Sequence, residues 1–116
     1  MSAKDKFSDF EKKTSVVFTD KSLLRQAFVH RSYLNENPHF RLSHNERLEF
    51  LGDAVLELVV TEALFAKFPE KPEGELTSLR AALVNSRMLA EVSERLGLND
   101  YLLLSRGEAK DTGRAR

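Results

Sequence analysis

The sequence predicts an all-α fold. Apolar residues recur at helical spacing along most of the chain, above all from Ala54 to Val60 and from Leu76 to Leu96. No stretch alternates apolar and polar residues in a convincing strand pattern. Breaks at Phe18-Thr19-Asp20, Asn35-Glu36-Asn37-Pro38 and Lys71-Pro72-Glu73-Gly74 cut the chain into helix-length pieces.

The 116 residues suffice for one domain with a moderate core. Lys+Arg and Asp+Glu each number 18, so the formal net charge is zero. That balance argues against a basic surface spread over the whole domain and leaves room for a local basic patch. Cysteine is absent, which excludes disulfides and thiolate metal sites. Met1-Ser2-Ala3-Lys4-Asp5-Lys6 is not followed by the apolar core of a signal peptide. No apolar run approaches the ~20 residues that span a bilayer. A cytoplasmic protein with no membrane partner is therefore expected. There is no internal repeat and no low-complexity linker.

Taken in order, residues 4–16 carry Phe7, Phe10 and Val16 among charges and predict a short amphipathic helix. Asp20 is a suitable N-cap for a second helix, Lys21 to about Asn35, with Leu23, Leu24, Ala27 and Phe28 on its apolar face. His30 near its polar end reads as a structural hydrogen-bonding group. Pro38 ends this helix, because it disfavours helical geometry at Asn37. A polar loop, 39–44, leads to a long helix over about 44–68, stopped by Phe68-Pro69. Gly52 inside it costs about 1 kcal/mol relative to alanine, which predicts a close approach by another backbone or a metal. A helix from Glu75 to about Val84 follows, then a restart at Asn85-Ser86 and a stop at Gly97. Leu98 to Leu104 reads as a short helix or an extended segment, with the helix preferred for want of a strand partner. Ser105 to Arg116 shows no periodicity and is expected to be a tail.

The chemistry lies in the long helix. Glu49 and Asp53 are one turn apart on one face, and Glu46 and Glu57 share the stripe. Like charges at these spacings repel by about 0.2–0.5 kcal/mol per pair. No lysine follows at i+4 to relieve them. The helix is apolar nearly all round from Ala54 to Val60, which predicts burial of the stripe and hence a need for a partner. Carboxylates gathered at one point suit Mg²⁺, and such ions assist phosphodiester cleavage. The alternative is a surface or salt-bridged acidic helix with Arg47 or Arg80 as partner.

Asn45-Glu-Arg-Leu-Glu-Phe-Leu-Gly-Asp-Ala-Val-Leu56 resembles the signature motif of the ribonuclease III family, essentially unbroken. Leu24-Arg-Gln-Ala-Phe-Val-His-Arg-Ser-Tyr33 resembles the family's upstream helix. Glu73-Gly74-Glu75-Leu76, Leu79-Arg80-Ala-Ala-Leu-Val-Asn85, Leu89 to Gly97 and Ser105-Arg-Gly-Glu108 fit the segments that follow. The resemblance runs from about residue 7 to the end. It implies a helical, homodimeric endoribonuclease that cuts double-stranded RNA, with ribosomal and messenger RNA precursors as substrates. It also implies dependence on Mg²⁺, with Mn²⁺ as the substitute. Position by position, it makes Glu49 and Asp53 catalytic metal ligands and Glu46 an acid near the site. Glu73 becomes an acid acting on the metal through water, and Phe50 an aromatic at the dimer interface.

The resemblance also implies pieces that the sequence does not contain. In the family a further helix follows the polar loop and brings a second acidic pair, an Asp or Asn and a Glu; Glu108 and Asp111 do not match it. The double-stranded-RNA-binding domain is not present either. Residues 1–116 therefore read as a C-terminally incomplete endonuclease domain, either a piece of an ordinary enzyme or a natural half-domain that no longer cuts. Two carboxylates alone should hold Mg²⁺ weakly. Apolar surface left open on the signature helix should be buried in a dimer or lower solubility. RNA contacts without the second domain would fall to Arg41, His44, Lys110, Arg114 and Arg116, each also readable as a solvated surface charge.

Overall fold

In the computed structural model, which describes residues 3–111 and the side chains of residues 6–109, every regular element is a helix. The α-helices are α1 (Ala3–Thr14), α2 (Lys21–Ala27), α3 (Arg31–Glu36), α4 (Glu46–Lys67), α5 (Glu73–Leu83), α6 (Ser86–Leu96) and α7 (Arg106–Asp111). A 3-10 turn, Leu98–Tyr101, joins α6 to the last segment.

The core sits at one end of the molecule. Phe7 on α1, Leu24 on α2, Phe28 and Tyr101 are buried together, with Phe10, Phe18, Leu98 and Leu102 packed around them. Phe10 meets Phe28 and Tyr101 edge-on, at ring-centroid distances of 5.3 and 5.2 Å. Each such pair contributes about 0.5–1.5 kcal/mol beyond the area it buries. The link between α1 and α2 is tied from within. The Glu11 carboxylate accepts the Phe18 N–H at 2.6 Å and the Lys21 ammonium at 2.8 Å. These hydrogen bonds, that of Lys21 first, hold the Glu11 pKa below the ordinary glutamate value. Asp20 caps α2 as expected, accepting from the Ser22 N–H at 3.0 Å.

The single helix expected over Lys21–Asn35 is two helices. Phe28, Val29 and His30 leave the helical path so that Val29, fully buried, can form an isolated parallel β-bridge with Leu103. Leu103 donates its N–H to the Phe28 carbonyl at 2.8 Å, and His30 donates to the Leu103 carbonyl at 3.0 Å. His30 then caps α3, its Nδ1 accepting from the Ser32 N–H at 3.1 Å. The same bridge resolves the Leu98–Leu104 run, helical at first and extended after Tyr101. Its strand partner lay inside what reads in sequence as a helix.

Helix α4 occupies nearly the expected span. Helix α5 begins at Glu73, inside the expected turn. Pro72 is extended there (φ −71°, ψ 164°), and Glu73 and Glu75 place negative charge at the helix's positive end. Asn85 caps α6 by accepting from the Met88 N–H at 2.9 Å, and Gly97 ends it in the left-handed region (φ 69°). A Cβ at Gly97 would lie 2.8 Å from the Lys13 ammonium, the movable end of a flexible side chain, so it is the backbone that calls for glycine. The expected tail contains α7, started by Ser105, whose hydroxyl accepts from the Glu108 N–H at 3.1 Å. Arg114 and Arg116 lie outside the described residues, as does the side chain of Lys110.

The molecule is long, with extents of 53 × 30 × 23 Å and a radius of gyration of 16.5 Å. A compact domain of this length has a radius of roughly 13 Å. Its accessible surface is 9060 Å², against roughly 6,400 Å² for a compact monomer of this mass. Much apolar surface on α4 is open, from Phe50 to Phe65. No helix among the described residues is long and apolar enough to cross a membrane.

Candidate functional site

The acidic helix is fastened at its start. Asn45 donates its backbone N–H to the Val29 carbonyl at 2.9 Å and its side-chain amide to the Ala27 carbonyl at 2.7 Å. Gln26 adds a bond from its amide to the His44 carbonyl at 3.3 Å. The N-terminus of α4 is thus held against the break between α2 and α3, and that break is bridged to Leu103.

From this base α4 carries its carboxylates upward. Glu46 accepts from Arg31 Nη2 with both oxygens, at 2.7 and 3.1 Å. His44 Nδ1 lies 3.4 Å from both the Glu46 backbone nitrogen and Glu46 Oε2. Glu49 and Asp53, one turn apart, are exposed. Neither has a hydrogen bond or ion pair among the described residues. The stripe is therefore not buried as its apolar surroundings predict, because nothing in the described chain packs over this part of α4. Arg80 is not its partner; it donates to the Thr61 hydroxyl at 2.9 Å. Arg47 forms no ion pair among the described residues.

The flank of α4 next to the stripe is apolar and open. Phe50 is 83% exposed and Phe65 74%, with Leu51, Val55, Leu58 and Val59 exposed between them. In the whole helix only Leu64 is buried. Gly52 faces open space, since a Cβ there would meet nothing within 4 Å. The close approach expected at Gly52 is not made among the described residues.

The remaining candidates separate. Asp53 and Lys67 are about 21 Å apart along the helix axis, and Glu73 starts α5 beyond that far end. The chain alone does not bring Glu73 beside Glu49 and Asp53. Arg41 is exposed in the loop before α4, while His44 is half-buried at the helix start. Among the described residues, no three His, Asp or Glu side chains form a group that could hold a metal. Glu49 and Asp53 fit a hard cation as two unpaired oxygen donors on one exposed face. Mg²⁺ is commonly held by one or two carboxylates, with waters and phosphate oxygens completing the shell. Two carboxylates could supply part of such a shell.

Sequence reasoning missed Arg31. It lies outside the acidic motif, on a different helix, and no local spacing announces that it meets Glu46. Its neighbour Val29 did carry a signal: a β-branched residue that buries completely at the point where the helix breaks.

Comparison with known proteins bears on the same residues. Residues 20–116 match a family model described as Ribonuclease-III-like. Ribonuclease 3 of Enterococcus faecalis is 50% identical over 109 residues, covering 94% of this chain and 47% of that protein. Ribonuclease 3 of Streptococcus pneumoniae is 49% identical over 102 residues, covering 88% of this chain and 44% of that protein. The chain spans about half the length of the curated relatives it matches. A solved nuclease domain of ribonuclease III from Campylobacter jejuni superposes with a TM-score of 0.77 at 47% identity. The match covers 90% of this chain and 68% of that one, which is described as structurally flexible in a region involved in dimer formation.

Proposed function

The chain belongs to the ribonuclease III family, and on that basis we propose that residues 1–116, as a partial endonuclease domain, serve metal-dependent endonucleolytic cleavage of double-stranded RNA. The observation that carries the reading is the Glu49–Asp53 pair: two exposed carboxylates one helical turn apart, without a partner among the described residues, within the family's signature motif.

In this reading Glu49 and Asp53 hold a divalent cation, Mg²⁺ or Mn²⁺, by their carboxylate oxygens. Such an ion, when bound, supplies an activated water and stabilises charge on the phosphodiester oxygens. Glu73 acts through the water shell. Phe50 and the open apolar flank of α4 serve a homodimer, consistent with their exposure in the single chain. Arg41 and His44 beside the start of α4, with Lys110 and Arg114, supply charge for RNA phosphates. Ribosomal and messenger RNA precursors in the cytoplasm are the substrates that fit.

A second reading has one observation in its favour, the absence of any three-ligand group among the described residues. In it the chain dimerises or binds structured RNA without cutting. A labelled RNA duplex incubated with the chain in Mg²⁺ separates the two. Cleavage by the wild type and none by Asp53→Asn supports the enzyme. Binding without cleavage, under every divalent ion tried, supports the module.

A further inference from the structure

The four carboxylates of the α4 stripe are not equivalent. Glu49, Asp53 and Glu57 have no partner among the described residues, whereas Glu46 is engaged through both oxygens by Arg31 of α3. Resting on the metal reading above, we propose that Arg31 is a positioning residue: it holds the Glu46 carboxylate out of the ligand set, so that on this stripe the cation is taken by Glu49 and Asp53 and not by Glu46.

The argument starts from the backbone. Arg31 is the first residue of α3, and Glu46 the first of α4. Both helix starts are anchored within two residues of the ion pair. Asn45 donates to the Val29 carbonyl at 2.9 Å, and His30 donates to the Leu103 carbonyl at 3.0 Å. The pair itself is exposed, with side chains 66% and 48% accessible, but it joins backbones already fixed to each other.

The consequence is electrostatic. Glu46 lies three residues from Glu49, on the neighbouring turn and within reach of it. Left free, its carboxylate would add a third negative oxygen donor and draw a cation toward the helix start. The guanidinium opposes both effects, because it occupies the Glu46 oxygens and cancels their charge locally. His44 Nδ1, the other polar group facing Glu46, is farther away at 3.4 Å.

The test is a set of Mn²⁺ titrations on the intact chain by calorimetry or electron paramagnetic resonance, at about 0.15 M salt, where charges beyond about 8 Å are screened. Arg31→Ala is expected to tighten Mn²⁺ binding about threefold, the order of effect of one neighbouring exposed charge. In a Glu46→Gln background the same change is expected to have less than about half that effect, because no carboxylate is left to release. Arg31→Lys, which keeps the charge, is expected to restore wild-type affinity. Helix content and melting temperature serve as the folding control for each variant. Unchanged affinity in Arg31→Ala overturns the proposal, as does tightening that persists in full without the Glu46 carboxylate. A wild type that binds Mn²⁺ while Arg31→Ala has no effect removes the role of Arg31 alone. A wild type that binds no Mn²⁺ removes the metal reading and, with it, any role for Arg31 in shaping the site.

Discussion

Tyr101 donates its hydroxyl to the Asp9 carboxylate at 2.9 Å. The two residues are 92 positions apart, so this one bond closes the aromatic core across almost the whole described chain. Tyr101→Phe keeps the ring packing and removes the bond. A loss of about 1 kcal/mol in unfolding free energy is expected, measured by urea denaturation.

The same phenol makes stability depend on alkaline pH. Burial, then the Asp9 bond, push its pKa above the ordinary tyrosine value. The fold thus favours the neutral phenol. Its contribution is complete below the ordinary tyrosine pKa of about 10 and is lost as pH rises through the raised value. The melting temperature should fall above about pH 10 in the wild type, and Tyr101→Phe should show a smaller fall.

At the acid end the corresponding group is Glu11. Its pKa is depressed by Lys21 and by the Phe18 N–H, so the fold favours the carboxylate. That contribution is present above the ordinary glutamate pKa of about 4.3 and disappears as pH falls through the depressed value. Thermal melts of Glu11→Gln should be less stable than wild type at neutral pH and converge with it in acid.

Leu64 and Leu58 lie on one helix in opposite environments, 7% and 65% exposed. Leu64→Ala should cost about 2–4 kcal/mol of unfolding free energy at any protein concentration, since it empties a buried side-chain site. Leu58→Ala should cost less than about 0.5 kcal/mol in the dilute monomer. If the α4 flank is a dimer surface, its cost should grow as concentration is raised.

If Phe50, 83% exposed in the single chain, packs into a second copy, Phe50→Asp should shift the chain toward monomer in sedimentation velocity, because a carboxylate would be desolvated there. Unchanged association would remove Phe50 from the interface.

Much of this was readable in the residues. Asp20, Asn85 and Gly97 act as the caps their types suggest, because capping is local chemistry. The acidic motif sits on the long helix predicted for it. What the sequence concealed is non-local. The break after Ala27 exists because Val29 pairs with Leu103, and no local pattern in either segment reports the other. The exposure of Glu49 and Asp53 was concealed for a related reason. The apolar ring around Ala54–Val60 does predict burial, but nothing among the described residues covers it. Periodicity identifies a face that must be covered, not what covers it.

The Val29–Leu103 bridge has a kinetic consequence. With the neighbouring bond from the Ser105 N–H to the Ser32 hydroxyl, 73 positions apart, it turns the chain between them into one closed loop. Closing such a loop costs entropy that grows with the logarithm of its length, and nothing within α4, α5 or α6 offsets it. Those three helices can form from local contacts alone, whereas the joint that aims α4 must wait for the ends to meet. In amide exchange, the His30 and Leu103 protons should therefore open only with global unfolding, while α6 opens locally far below it. The direction in which the acidic helix points is thus a long-range property of the chain, set only where segments 73 positions apart meet.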